Sequence, residues 1–306
     1  MMMKESTERY ALLKRFFFKT STGHRHALGI LLGLVAFCAL VVLPAASYGA
    51  EIIGSWVSGT THTAETGTNR ALIFTAHVEH SSTASLTSVS YGGQSMTQII
   101  DHNYAGSTTT AYVSAFILDE AGIAAATSSD FAITWASTPS ETPAYSSVFL
   151  QNVYQTTLTG DTATGGSTSS SAETAAVSTN ADDMAFVAAT CGTDADYSTL
   201  NGFTEAIELA PSSADGICGY LAGTGGSVTP GVSHTSVDHQ GVIGFVVLGI
   251  NQPPTLDPIG NKSVNEGSLL EFTISATDPD TGDTLTYSAS NLPSGATFDA
   301  GTQTFS

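Results

Sequence analysis

Ten short apolar runs, each followed by turn residues, constrain what residues 51–250 can fold into. None of them continues with a helical period of 3.6, and at most one helical turn is expected, at residues 121–127. The pattern predicts an all-β domain, a jelly-roll-like β-sandwich. The predicted strands are 71–78, 86–91, 96–100, 111–118, 131–135, 146–153, 184–190, 203–209, 216–222 and 242–250. The low-complexity residues 160–172 are expected to form a solvated loop.

Residues 251–306 carry a second β pattern. Leu270, Phe272, Ile274 and Ala276 alternate with polar residues, and residues 285–289 repeat the alternation. A period of two places one strand face in a core and the other in water. An acidic turn, residues 278–283, lies between the two runs. The pattern predicts a small antiparallel module, which is expected to be incomplete because a seven-strand sandwich of this kind needs about 90–100 residues.

Four motifs in this second module resemble a known family. They are residues 251–254 (Asn-Gln-Pro-Pro), 264–267 (Val-Asn-Glu-Gly), 276–280 (Ala-Thr-Asp-Pro-Asp) and 291–296 (Asn-Leu-Pro-Ser-Gly-Ala). In this order they resemble the cadherin-like and dystroglycan-type Ig modules of bacterial surface proteins. The resemblance implies an adhesive or rod-like spacer, and it names no ligand.

The same resemblance implies a calcium site. Cadherin-like modules bind ions through an early Glu and a later Asp-x-Asp, which Glu266 and the pair Asp278 and Asp280 match. Asn251 resembles the linker Asn of that pattern, and Asp283 offers a further carboxylate. Ca²⁺ takes six to eight oxygen ligands. The linker lacks an Asp before the Asn, so a plain Asp-rich turn without an ion is the alternative.

A weaker resemblance covers part of the first domain. It is carried by residues 69–72 (Asn-Arg-Ala-Leu), by residues 86–97 with their Tyr-Gly-Gly hairpin, and by residues 149–157. These segments are similar to a β-sandwich domain that repeats in bacterial secreted and adhesin-like proteins. That resemblance implies a lectin-like or adhesive sandwich and no settled activity.

Residues 1–50 have the pattern of an export signal. Basic residues precede an uncharged run at 27–43, and the small residues Ala45 and Ser47 suit a signal peptidase. The alternative is an uncleaved membrane anchor through residues 27–46, because such a run nearly spans a bilayer. The sequence therefore predicts a signal (1–50), a sandwich (51–250) and an Ig-like module (251–306), with the protein outside the cell or on its surface.

The charge balance excludes one class of partner. Six of the eight Lys and Arg residues lie in residues 1–50, so 25 acidic side chains remain beside Arg70 and Lys262. Nucleic-acid affinity comes mainly from Lys and Arg, so no nucleic-acid partner is expected. A surface glycan or a protein is the predicted ligand, of unknown identity.

The cysteine count predicts a disulfide. Cys38 lies in the export signal, which leaves Cys191 and Cys218 as an even pair in an oxidising compartment. The alternative is two buried reduced thiols.

No constellation predicts a catalytic residue. His77 and His80 are three residues apart in a strand, so they face opposite sides. The carboxylate pairs Asp182-Asp183 and Asp194-Asp196 are candidates for glycoside hydrolysis, with solvated turns as the alternative. The sequence therefore predicts a non-catalytic, exported adhesin-like protein with a calcium-dependent spacer module. The second hypothesis is a secreted protein that binds or acts on polysaccharide.

Overall fold

A computed structural model describes residues 49–192, 196–210, 215–235, 239–251, 253–278 and 285–306. Residues 1–48 of the predicted export signal lie outside the described residues. These residues divide into two compact units. The larger contains residues 49–255 with 277, 278 and 285, and the smaller contains 256–276 and 286–306. Within the described ranges, no helix is long and apolar enough to cross a membrane.

The first half of the larger unit forms one large and one small antiparallel sheet. Its strands are β1 (Glu51–Ser58), β2 (Ala71–His80), β3 (Leu86–Tyr91), β4 (Gln94–Ser95), β5 (Thr97–Ala105), β6 (Thr110–Leu118), β7 (Phe131–Trp135) and β8 (Ala144–Gln151). The large sheet has the order β1-β8-β2-β6-β5, and the small sheet has the order β4-β3-β7. A short helix, α1 (Glu120–Ala125), begins where Asp119 Oδ1 accepts a hydrogen bond from the amide of Gly122 at 2.8 Å.

The second half forms another large sheet and two small ones. Its strands are β9 (Thr159–Ser167), β10 (Ser171–Glu173), β11 (Val177–Ser178), β12 (Met184–Cys191), β13 (Tyr197–Thr199), β14 (Thr204–Leu209), β15 (Asp215–Ala222), β16 (Ser227–Val228), β17 (Gly231–His234) and β18 (Gln240–Val247). The large sheet has the order β14-β15-β12-β18-β9, and the small sheets are β10-β17-β13 and β11-β16.

The two large sheets pack face to face. Ile73 and Val148 of the first sheet and Phe186 and Phe245 of the second share one buried core. The small sheets cover the outer faces with two further cores, so the central strands are buried on both sides. A strand covered on both faces needs a nearly continuous apolar run rather than alternation, which is why residues 71–78 and 184–190 are apolar apart from Thr75, His77 and Thr190.

The two halves repeat one strand order. The first large sheet has the order β1-β8-β2-β6-β5, and the second, written from its other edge, has the order β9-β18-β12-β15-β14. Strands at the same place in the two orders are equivalent, and every pairing is antiparallel in both sheets. The cover strands follow the same rule, because β3 pairs with β7 and β13 with β17. The large unit is therefore a structural repeat of two halves.

Details of the backbone support the repeat. The two-residue turns before β4 and β14 are Gly92-Gly93 and Asn201-Gly202, and all four residues have positive φ. That conformation suits the primed two-residue hairpin turns. The edge strands β5 and β14 then carry a bulge at the same place. Ile100 follows one bulge and pairs with Ala115, and Ile207 follows the other and pairs with Cys218.

The repeat assigns equivalent positions on the central strands. Thr75 pairs with Ala115, and Ala188 pairs with Cys218, so Thr75 and Ala188 are equivalent. Two residues further along, His77 and Thr190 are equivalent.

The predicted all-β class and the β-sandwich are confirmed. All ten predicted strands and the single helical turn are present. The jelly-roll-like expectation is refined, because each large sheet comes from one continuous half of the unit. The prediction of a loop at residues 160–172 is wrong, because Thr159–Ser167 is the edge strand beside β18 and Ser171–Glu173 is a cover strand.

The described residues between 253 and 306 form short strands. They are β19 (Thr255–Leu256), β20 (Phe272–Thr273), β21 (Ala276–Thr277), β22 (Phe298–Asp299) and β23 (Thr304–Phe305), and β20-β23-β22 form a sheet. The rings of Phe272 and Phe305 stack with centroids 5.0 Å apart. None of the described residues in this range is buried, and Leu269 is 73% exposed. These residues therefore enclose only a small apolar contact.

Candidate functional site

A buried polar network lies between the two large sheets. Nε2 of His77 lies 2.9 Å from the hydroxyl of Thr75, which lies 2.6 Å from Ser146 Oγ. The thiol of Cys218 lies 3.4 Å from each of these hydroxyls and 3.6 Å from Nε2 of His77. On its other side, His77 Nδ1 donates to the carbonyl of Ala189 at 3.0 Å. Because a carbonyl only accepts, the proton sits on Nδ1 and Nε2 is the acceptor.

This network holds both reactive groups neutral. Burial lowers the pKa of His77 to about 4, although the Ala189 carbonyl opposes the shift. Burial raises the pKa of the Cys218 thiol to about 11, although hydrogen bonds from the hydroxyls of Ser146 and Thr75 oppose this shift. A nucleophilic cysteine needs a thiolate and access to substrate. The His77–Cys218 pair has neither, so it is a structural network and not a catalytic dyad.

The structure corrects the predicted disulfide. Cys191 and Cys218 are both reduced and buried. Cys218 pairs with Ala188, three residues before Cys191 on the neighbouring strand. An odd offset in an extended strand turns the side chains to opposite faces. The two cysteines accordingly belong to different cores, Cys218 to that between the large sheets and Cys191 to that under the small cover sheet.

Cys191 lies in a second polar group on the outer face of its sheet. Its sulfur is 3.4 Å from Nε2 of His234. The rings of His234 and Tyr197 meet edge to face with centroids 5.4 Å apart. Burial and the neighbouring Cys191 raise the pKa of Tyr197 well above its ordinary value. His234 lies at the end of β17 and is buried.

Of the two carboxylate pairs, Asp182-Asp183 lies wholly within the described residues, and its environment is structural. Asp182 and Asp183 are buried, and Asp183 accepts hydrogen bonds from the amides of Asn180 at 2.7 Å and Gly249 at 3.1 Å. A carboxylate that holds two backbone amides is a structural tie. Asp194 lies outside the described residues.

A polar hollow of about 410 Å³ opens beside the first strand. Its lining includes Ser55, Thr61, Thr63, Glu65 and Ser129, together with His62. The strand β1 bulges at residues 54–56, and a Cβ at Gly54 would collide with the carboxylate of Glu65. The bulge and the glycine therefore make room for this carboxylate at the edge of the sheet.

His62 forms the inner wall of this hollow. The residue is 4% exposed, and Nδ1 lies 2.8 Å from Ser147 Oγ. Its Nε2 is buried and has no hydrogen-bond partner among the described residues. Burial lowers the pKa of His62, although the charge of Glu65 opposes this shift. The histidine is therefore a neutral polar group with one unused nitrogen.

A second hollow of about 390 Å³ occupies the related place in the second half. It is lined by Glu173, Asn201 and residues 227–229. The amide of Asn201 donates to Glu173 Oε1 and to the Thr229 carbonyl, at 2.9 Å in both cases. Sequence reasoning missed both hollows. The Asn201-Gly202 turn signal was the one available clue.

The predicted calcium ligands are only partly described. Glu266 is exposed in a turn, Asn251 is exposed, and Asp278 is half-buried directly after β21. Asp280 and Asp283 lie outside the described residues. In the part of the chain that the structure describes, no three His, Cys, Asp or Glu side chains form a group that could hold a metal ion. The calcium site stays a prediction.

The fold defines a protein with a large, two-sheet β unit followed by a small β module. A family model described as Putative Ig domain matches residues 253–306. This match supports an Ig-like module at the position where the sequence motifs placed one. No curated protein and no solved structure matches the chain.

Proposed function

We propose that this protein is an exported, non-catalytic adhesin-like protein, in which the large β unit binds a surface ligand and the Ig-like module is a spacer. The observation that carries the proposal is the match of residues 253–306 to an Ig-like family directly after a two-sheet unit. Ig-like sandwiches are common in cell-surface proteins. The neutral, buried state of the His77–Cys218 pair also favours a binding role over a catalytic one.

Adhesion of beads tests this function. Beads that carry the full chain are expected to stay on immobilised glycoproteins or polysaccharides under flow, whereas beads that carry the heat-unfolded chain wash off. Equal loss of both bead types from every surface would contradict the adhesive role.

The second candidate is a protein that binds or acts on polysaccharide. The two polar hollows favour it, because hydroxyl and carboxylate groups recognise sugar hydroxyls. Release of reducing ends from polysaccharides separates an enzyme from a binding protein. Turnover that disappears in the Glu65→Gln or Glu173→Gln variant would establish the enzyme and sink the non-catalytic proposal.

The calcium part of the proposal concerns the acidic turn. Asp278, Asp280 and Asp283 are its candidate ligands, and the cadherin-like resemblance adds Glu266 and Asn251. Binding relieves the repulsion between nearby carboxylates and is expected at about 10⁻⁴ to 10⁻³ M, as in other extracellular modules. At ten times the dissociation constant, the stabilisation is about 1.4 kcal/mol.

Calorimetric titration of the full chain tests calcium binding. Heat is expected with Ca²⁺ and not with Mg²⁺, which prefers a smaller octahedral site. The double variant Asp278→Ala, Asp280→Ala should lose that heat, whereas Asp257→Ala is the matched control outside the turn. Heat that is equal in all three proteins would assign the binding to other carboxylates.

A further inference from the structure

We propose that the large unit carries two related saccharide subsites, one in each half, with Glu65 and Glu173 as their recognition carboxylates. This inference rests on the proposed binding function and deepens it. It starts from the position of the two polar hollows in the repeat.

The two hollows lie at related places in the repeated fold. In the first half, residues 61–65 follow β1 and pass Ser129, which lies two residues before β7; the amide of His62 donates to the Ser129 carbonyl at 2.9 Å. In the second half, Glu173 is the last residue of the cover strand β10, and Thr229, two residues before β17, lines the same hollow; the amide of Thr174 donates to the Pro230 carbonyl at 2.9 Å. Each hollow thus combines a glutamate from the segment between β1 and β2, or between β9 and β12, with a residue that leads into β7 or β17.

The lining chemistry selects the class of ligand. Among the described residues, neither hollow is lined by Lys or Arg, so the lining offers no cation to a phosphate or sulfate ester. Each has a single carboxylate, which is too few for Ca²⁺. What each hollow offers a ligand is one carboxylate and the hydroxyls of its Ser and Thr side chains. Neutral sugars present many hydroxyls, which donate to carboxylates and accept from amides and hydroxyls.

The openness of both hollows predicts weak binding at each. Shallow polar sites exchange solvent hydrogen bonds for ligand hydrogen bonds at little net gain. The two hollows lie beside the cover sheets on opposite sides of the sandwich, so they face separate chains of a surrounding polysaccharide matrix rather than one flat surface. Paired weak subsites therefore suit attachment to a polysaccharide better than capture of a free monosaccharide.

A two-dimensional NMR titration of the full chain tests the inference. The probes are neutral hexasaccharides of glucose, mannose and galactose, added to about 20 mM so that millimolar affinities are measured. At least one probe is expected to shift the amide signals of both Thr63 and Thr229. Glu65→Gln should weaken only the first response, and Glu173→Gln only the second, by about tenfold each.

Controls separate this inference from the proposed function. Glu205→Gln removes an exposed carboxylate outside both hollows and should change neither response. The subsites would be overturned if no probe shifts the signals of either hollow. They would also be overturned if the shifts are unchanged in both Gln variants. Bead adhesion that persists in the Glu65→Gln, Glu173→Gln double variant would also overturn them and would leave the adhesive function standing. If wild-type beads themselves fail to adhere to every surface, that result contradicts the adhesive function.

Discussion

His77 and Thr190 occupy equivalent positions in the two halves of the large unit, and they touch, with 3.1 Å between His77 Nδ1 and Thr190 Oγ1. Contact between equivalent residues is the arrangement found at two-fold symmetric interfaces. The edge strands of the two large sheets show the same symmetry, because β1 lies beside β14 and β5 lies beside β9. The repeat exchanges these two pairs, since β1 is equivalent to β9 and β14 to β5. The residue types differ, so the symmetry is one of backbone and not of chemistry.

The buried imidazole makes stability depend on pH. In the unfolded chain His77 titrates near 6.5, whereas in the fold its pKa is about 4. Between these values the unfolded chain binds more protons, so the free energy of unfolding falls as the pH falls. This one group should remove about 2 kcal/mol between pH 7.5 and pH 5. Urea unfolding at both pH values measures the loss, and His77→Gln should show a smaller pH dependence. An equal pH dependence in both proteins would mean that His77 titrates normally in the fold.

The two buried cysteines should resist alkylation in the native protein. Cys191 and Cys218 are fully buried, and the raised pKa of Cys218 further lowers its thiolate fraction. Iodoacetamide without a reductant should modify both residues in urea and neither in buffer. Peptide mass mapping reads the outcome. A peptide pair that stays linked and unmodified in urea would restore the disulfide.

Arg70 ties the first central strand to the helix α1. Its guanidinium donates to both oxygens of Glu120, and Nη1 donates to the Glu65 carbonyl at 2.7 Å. The pair raises the pKa of Arg70 and lowers that of Glu120. Arg70→Lys keeps the charge and loses the planar fork, so it should reduce the free energy of unfolding by about 1 kcal/mol. Chemical unfolding of this variant beside Glu205→Gln measures it, and equal midpoints would contradict the role.

Asp183 is expected to matter for stability and not for chemistry. Asp183 accepts one hydrogen bond from each of two backbone amides. In the Asn variant, an NH₂ group faces one of these amides and cannot accept its hydrogen bond. The loss should be about 1–3 kcal/mol, since a buried donor is left unpaired. Thermal unfolding compares Asp183→Asn with the exposed Asp130→Asn. An unchanged melting temperature together with a changed activity on polysaccharide would revive the catalytic interpretation.

The sequence predicted ten strands of the large unit and missed others, among them β1, β9 and β17, as well as the repeat. Apolar runs marked the central strands, because burial on both faces makes nearly every residue of such a strand apolar. The edge strand β9 carries no such signal, since Cβ atoms at Gly165 and Gly166 would collide with Glu173 and Tyr104. Glycine there permits close backbone approach, and in a sequence it has the composition of a loop.

The remaining errors have a similar origin. Counting cysteines could not show which sheet face each one occupies, because a face depends on register. The repeat escaped detection because equivalent positions carry different residues: Thr75 and Ala188, and Ala115 and Cys218. The hollows join segments far apart in the chain, so no local motif marked them.

The meeting of His77 and Thr190 has one more consequence. Two-fold pairing is usually achieved by two chains, and it then weakens on dilution. Here a single polypeptide supplies both partners, so their pairing is independent of concentration and their ratio is fixed at synthesis. A substitution in one half does not place the same substitution in the other half, as it would in a homodimer. One partner can therefore acquire a histidine while the other keeps a threonine, a difference that identical subunits cannot maintain.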